Sequence, residues 1–208
     1  RTVEICVGDW SAFYLDVVKD RLYCDAVDSP RRRSCQATIG RIARATIAAL
    51  APIAPFTADE AWRHLPGATG RSVFLDARIE APVAGADDEA LIAAGRALFA
   101  VRDALNLALE PKVKAKEIPH RREVAARLGL PASVADAVGT IAPDLAEVLG
   151  VASVAVETAE SITAEVARTS AASCARCWRH RGDVGVNPAR ADLCGRCASV
   201  VHGQGAVA

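Results

Sequence analysis

Four of the chain's seven cysteines stand in two matched Cys-x-x-Cys pairs, Cys174/Cys177 and Cys194/Cys197, separated by sixteen residues. At this spacing a tight turn brings two thiolates onto one metal ion, and two such turns supply the four ligands of a structural zinc site. The segment between them, "WRHRGDVGVNPARADL", has too few apolar residues to fold by burial, so metal binding would drive its folding. Disulfides or a redox centre are the competing chemistry. Redox centres, however, use a single pair beside a βαβ pattern, and that context is missing next to the cysteines. His180 and His202 are spare candidate ligands, although four cysteines already close the site. Cys6, Cys24 and Cys35 have no partner close in sequence and read as small apolar fillers.

Around the paired cysteines sit Arg176, Trp178, Arg179, His180, Arg181, Arg190 and Arg196. Four thiolates on a divalent zinc leave negative charge, so some of these arginines serve to neutralise it, and Trp178 could merely cap the turn. Taken with Trp178, the cluster reads as a base-stacking surface flanked by phosphate-binding guanidiniums, a pattern suited to unpaired nucleic acid.

The elements that must position these residues are mainly helical. The chain has 208 residues and is 51% hydrophobic, mostly Ala, Val and Leu, with only 4% aromatics, a composition that favours helix and allows a real core. The net charge of zero hides segregation: +2 over residues 1–50, −6 over 51–167 and +4 over 168–208. Basic ends flanking an acidic middle suggest local anion-binding surfaces. No apolar run is long enough to span a bilayer and the first residues do not resemble a signal peptide, so a soluble, cytoplasmic chain without membrane contact is expected. The absence of methionine, even at position 1, reads as the mark of a piece of a longer protein.

Residues 9–27 carry Trp10, Phe13, Tyr14, Val17, Val18 and Leu22 at helical spacing, with Lys19, Asp20 and Arg21 towards the polar side. "DSPRRR" breaks this helix, and a second is expected from about Ser34 to Leu50. "TADE" reads as a capping box, Thr57 to Glu60, opening a short third helix. Residues 66–90 look like a connection, with "SVFL" as a candidate short extended piece. A further helix is expected from about Asp87 to Leu109, closed by Pro111. Residues 123–157 are ambiguous by pattern, with a small α/β unit as the favoured reading. "TAESITAEVARTSAAS" leads into the cysteines. Nothing resembles a nucleophile–base pair, a phosphate-cradling glycine loop or a paired-carboxylate site.

"FYLDVVKDRLYC", "RRRSCQ", "LAPIAPFTADEAW" and the terminal "CARCW…LCGRC" occur in this order in the C-terminal part of the bacterial isoleucyl-tRNA synthetase family, a class I aminoacyl-tRNA synthetase, and the chain resembles that family over nearly its whole length. The match thins between about 111 and 170, where "KEIPHRREVAARL" departs from the family pattern. The resemblance implies part of an α-helical anticodon-binding domain at 1–80, a small α/β junction domain at 81–170 and a four-cysteine zinc ribbon at 171–208. It resolves 123–157 as strand–helix–strand. It implies a monomeric parent that activates isoleucine with ATP and charges isoleucine tRNA, with ATP and Mg²⁺ confined to a catalytic domain outside this chain, which alone would be inactive. The chain itself would grip the anticodon stem-loop and contact the rest of the synthetase. Lys19 and Arg21 would face that stem-loop, Arg31, Arg32 and Arg33 would meet phosphate, and Trp178, Arg179 and Arg176 would approach the anticodon bases. Two other readings stand beside it: the zinc-finger part of a DNA glycosylase, and a non-enzymatic zinc-ribbon module that binds protein.

Overall fold

The computed structural model describes residues 4–68, 70–77, 85 and 88–204. Its contacts divide the chain into two compact units, one of residues 1–20 with 85–208 and the other of residues 21–84.

In the second unit, helix α2 (Pro30–Leu50) packs on α3 (Pro55–Arg63), which in turn packs on the short α4 (Val73–Asp76). Ala48, Ala51, Ala58, Trp62 and Val73 form its core, with the Arg44 guanidinium 5.7 Å from the Trp62 ring centre. Three sequence expectations are corrected here. Helix α2 begins at Pro30, four residues early, because proline's fixed φ suits the first helical position and Ser29 caps the Arg32 N–H at 3.5 Å. Likewise Pro55 starts α3 two residues before Thr57, so the capping box does not form and Ala54 stands at the cap without a side-chain bond. "SVFL" is the start of α4, with the Ser72 hydroxyl accepting from the Phe74 N–H at 3.4 Å, not an extended piece. The rest of the connection expected over 66–90 lies partly outside the described residues.

The helix expected over 9–27 begins in the first unit, passes into the second from Arg21 and winds in two ways. Ile5–Tyr14 is π-helical, as the Leu15 N–H donation to the Trp10 carbonyl illustrates, and α1 (Leu15–Cys24) continues as ordinary α-helix. Apolar spacing of three and four residues fits either winding, so the pattern could not separate them. The long α5 (Asp88–Lys114) runs through Pro111 to Lys114 instead of stopping before it. Its buried stripe of Ala94, Leu98, Val101, Leu105 and Leu109 holds it in place, and Pro111 frees only the Leu107 carbonyl on a side where Leu107 is exposed.

Helix α5 covers a three-stranded sheet of order β2-β1-β3 and packs on α6 (Ala132–Ile141). Central β1 (Val124–Leu130) pairs in parallel with β2 (Ser153–Thr158) and antiparallel with β3 (Thr163–Arg168). Val124, Ala126, Leu128 and Leu130 alternate into the core with Val138, Leu149 and Val151. The strand–helix–strand reading of 123–157 therefore holds, with a short α7 (Leu145–Leu149) before β2. Strand β3 was not expected. Arg121 fastens the start of this unit, its Nε donating to the Leu149 carbonyl at the end of α7 (2.5 Å) and its Nη1 to Asn106 Oδ1 on α5 (2.6 Å). Beyond β3 the chain forms a ribbon ending in α8 (Gly195–Gln204). Mainly α, with a small α/β unit and a four-cysteine ribbon, is the fold class that the composition and motifs pointed to.

Candidate metal centre and nucleic-acid interface

The four cysteines converge. Their Sγ atoms all lie within 4.8 Å of one another, Cys177 and Cys194 at 3.9 Å, and all four residues are buried. The ribbon backbone brings them together: the Cys174 N–H donates to the Arg179 carbonyl (3.0 Å), the Gly185 N–H to the Leu193 carbonyl (3.1 Å), and the Ala198 N–H to the Cys194 carbonyl (2.9 Å). Gly185 sits at φ +86°, a left-handed turn that suits glycine.

This donor set fits tetrahedral zinc. A Zn–S bond of about 2.3 Å places sulfurs at tetrahedral edges of about 3.8 Å, within an ångström of the longest separation here. The electrostatics ask for a cation as well. Burial, reinforced by the neighbouring sulfurs, pushes the Cys177 thiol up to about 12 and the Cys197 thiol up to about 11. For Cys174 burial also works upward, yet the backbone N–H groups of Cys177, Cys194 and Arg176 bring it down to about 6. Four thiolates cannot coexist in this space without positive charge. Arg176 already supplies some, its Nη1 3.6 Å from Cys197 Sγ. The two spare histidines are otherwise engaged: His180 Nδ1–H donates to the Ala171 carbonyl at 2.7 Å, and Asn187 Nδ2 donates to His202 Nε2 at 3.1 Å.

Trp178 closes the first Cys-x-x-Cys turn at φ +58°, a conformation unusual for a bulky residue. Its N–H donates to the Cys174 carbonyl at 2.9 Å, which holds the turn, while the residue stays 66% exposed. The indole therefore does not cap the ribbon. It presents an aromatic face to solvent from a constrained backbone.

The basic residues divide by environment. The Arg179 side chain is only 12% exposed, and its Nη1 lies 3.8–3.9 Å from Asp20, Asp144 and Glu147. Arg179, expected at the anticodon bases, directs its Nη1 into this sheltered carboxylate cluster. Arg196 donates to both carboxylate oxygens of Asp20, at 2.5 and 2.8 Å. These acidic partners were invisible to sequence reasoning, since Asp20 and Arg196 stand 176 residues apart. Lys19 is exposed and paired with Asp16 at 3.0 Å one turn earlier in the same helix. Arg21 is half-buried. In the other unit, Arg31, Arg32 and Arg33 occupy the first turn of α2. Their concentration beside the positive end of a helix is opposed by Asp25, 3.6 Å from Arg31 Nε, and Arg32 Nη1 donates to the Asp25 carbonyl at 3.2 Å. Arg33 is exposed.

Residues 1–128 match the family described as the anticodon-binding domain of tRNA ligase. The chain belongs to that family. Residues 174–200 match a second family, the zinc finger found in FPG and IleRS. The chain is 35% identical to the isoleucine–tRNA ligase of Azotobacter vinelandii over 98% of its own length and 37% identical to that of Thiobacillus denitrificans over 97%. The enzyme of Psychromonas ingrahamii is 34% identical over the whole chain. The chain spans 22–23% of the length of these relatives. The zinc-finger family includes FPG as well as IleRS, but the helical match is to tRNA ligases, so the two other readings are not favoured. Among the described residues, no helix is long and apolar enough to cross a membrane.

Proposed function

We propose that the chain is the anticodon-recognition part of an isoleucine–tRNA ligase, a cytoplasmic enzyme whose other domains activate isoleucine with ATP and Mg²⁺ and charge isoleucine tRNA. The observation that carries the reading is Trp178, two-thirds exposed on a hydrogen-bonded cysteine turn, in a chain of the anticodon-binding family. In this reading residues 1–80 belong to the helical anticodon-binding domain, 81–170 to a junction domain and 171–208 to the ribbon. Cys174, Cys177, Cys194 and Cys197 would hold one zinc ion, which when bound would offset half of the thiolate charge and cross-link the two turns.

The protein's own groups then divide the work. Trp178 stacks on a splayed anticodon base, and Lys19 exchanges its exposed pairing with Asp16 for the RNA. Arg31 and Arg33, exposed at the start of α2, meet phosphate, while Arg32 packs on the Asp25 carbonyl behind them. Arg176 screens Cys197 and stands two residues before Trp178 in the chain. Arg21 lies near the contact on α1, and Arg179 acts behind the surface. Phosphate contacts fix position while stacking and base-edge bonds discriminate.

The test compares Trp178→Ala, Lys19→Ala and Arg33→Ala in the zinc-loaded full chain, binding isoleucine tRNA and an anticodon-swapped version. Trp178→Ala and Lys19→Ala should lower the ratio of the two affinities, whereas Arg33→Ala should weaken both equally. The reverse ranking overturns the assignment.

A further inference from the structure

Asp20, Arg179 and Arg196 form an ion network that the anticodon reading does not use. Asp20 lies on α1, next in sequence to Lys19, and Arg179 follows Trp178 directly. Both oxygens of Asp20 accept from Arg196, which is the two-pronged geometry that orients as well as attracts. Arg179 Nη1 stands 3.8 Å from the same carboxylate and reaches on to Asp144 and Glu147, the latter side chain only 2% exposed. All three members are largely sheltered, with side-chain exposures of 16% for Asp20, 12% for Arg179 and 21% for Arg196. The ribbon itself offers few apolar residues for docking, chiefly Leu193 and Ala198 outside the cysteines. Its orientation therefore depends heavily on charge.

We infer that Asp20 is a positioning residue: through Arg196 and Arg179 it locks the cysteine ribbon to α1 and so fixes the separation of Lys19 and Trp178. Asp20 and Arg179 each lie one residue from a proposed RNA contact, so any slip of the ribbon moves Trp178 relative to Lys19 almost undamped. Removing the Asp20 charge takes from Arg196 its two-pronged acceptor and from Arg179 one of its three nearby carboxylates, inside a sheltered cluster where a lost partner costs more than it would at the surface. The metal ligands are the four cysteines and not Asp20, so metal content should survive its substitution. The consequence for RNA rests on the anticodon reading; the lock itself does not.

The experiment uses the zinc-loaded full chain carrying Asp20→Asn, Arg196→Gln from the other side of the pair, and Asp20→Glu as the conservative control. Two quantities are read at constant zinc content. The first is amide hydrogen exchange at Trp178 and Arg181, whose N–H groups donate to the Cys174 and Ala172 carbonyls. Asp20→Asn and Arg196→Gln should each speed exchange there roughly tenfold, and Asp20→Glu should restore most of the protection. Unchanged exchange in both overturns the lock. The second is the affinity ratio for isoleucine tRNA against its anticodon-swapped version. It should fall in Asp20→Asn and recover in Asp20→Glu. If Trp178→Ala destroys that ratio but Asp20→Asn leaves it intact, the positioning role fails while the anticodon reading stands. If Trp178→Ala leaves the ratio intact, the anticodon reading fails, and faster exchange in Asp20→Asn still upholds the lock.

Discussion

Zinc binding should release protons in a number that the thiol environments dictate. Near neutral pH, and with the ribbon held in this conformation without metal, Cys177, at about 12, and Cys197, at about 11, stay protonated. Cys174, at about 6, is already largely thiolate. Binding a metal as a four-thiolate site must therefore expel at least the two protons of Cys177 and Cys197. Two protons make the affinity rise at least a hundredfold for each pH unit, about 2.7 kcal/mol at 1.36 kcal/mol per proton and pH unit. Below pH 6 Cys174 protonates as well and the dependence steepens to a thousandfold or more. The direction is fixed by competition: protons and metal contend for the same sulfurs, so acid weakens binding. A competition titration against a chromophoric chelator at several pH values between 6.5 and 8 measures the slope. Calorimetry in buffers of different ionisation enthalpy counts the protons independently. A slope of one proton or fewer would refute the reasoning, because it would mean that Cys177 or Cys197 is ionised without metal or does not ligate it.

Other consequences concern stability. Asp59 accepts from the Ser72 hydroxyl and the Val73 N–H (2.9 Å) and pairs with Arg63, which together hold its carboxyl below the usual range. A depressed pKa gives stability that is present above about pH 4 and lost as pH falls through the folded value. Asp59→Asn should thus lower Tm at pH 7, and the deficit should shrink as the pH falls below 4; a deficit that stays constant into acid would contradict this. Leu105, fully buried under the sheet, should cost about 2–5 kcal/mol as Leu105→Ala in urea unfolding. At Gly129 an added Cβ would meet Thr163 Oγ1 at 2.4 Å and Ala159 Cβ at 3.0 Å, so Gly129→Ala should destabilise by about 1–3 kcal/mol by the same assay.

What the sequence made legible was local. The cysteine turns could be read because four residues determine each turn, and α5 because its stripe repeats over many turns. Element ends are harder to place: Pro30 begins a helix where "DSPRRR" reads as a break, Pro55 begins one two residues before the expected cap at Thr57, and Pro111 sits inside one. Position within the helix decides what a proline does, and packing decides the position. Strand β3 escaped notice because "TAEVAR" is short, charged and largely exposed, so its pairing with β1 stabilises it more than its own pattern could. Arg179 illustrates the limit for sites. Its neighbours in sequence are Trp178 and His180, which suggest RNA, whereas its neighbours in space are three carboxylates from α1 and the α7 region. An arginine's charge shows in the sequence, but its partner does not.

The most direct test of anticodon recognition is the affinity of the full chain for isoleucine tRNA and for the same tRNA with a swapped anticodon, with and without zinc, at two salt concentrations. The account predicts a preference for the native anticodon that persists as salt weakens both affinities and disappears when zinc is removed. Equal affinity for the two tRNAs by the zinc-loaded chain would contradict it.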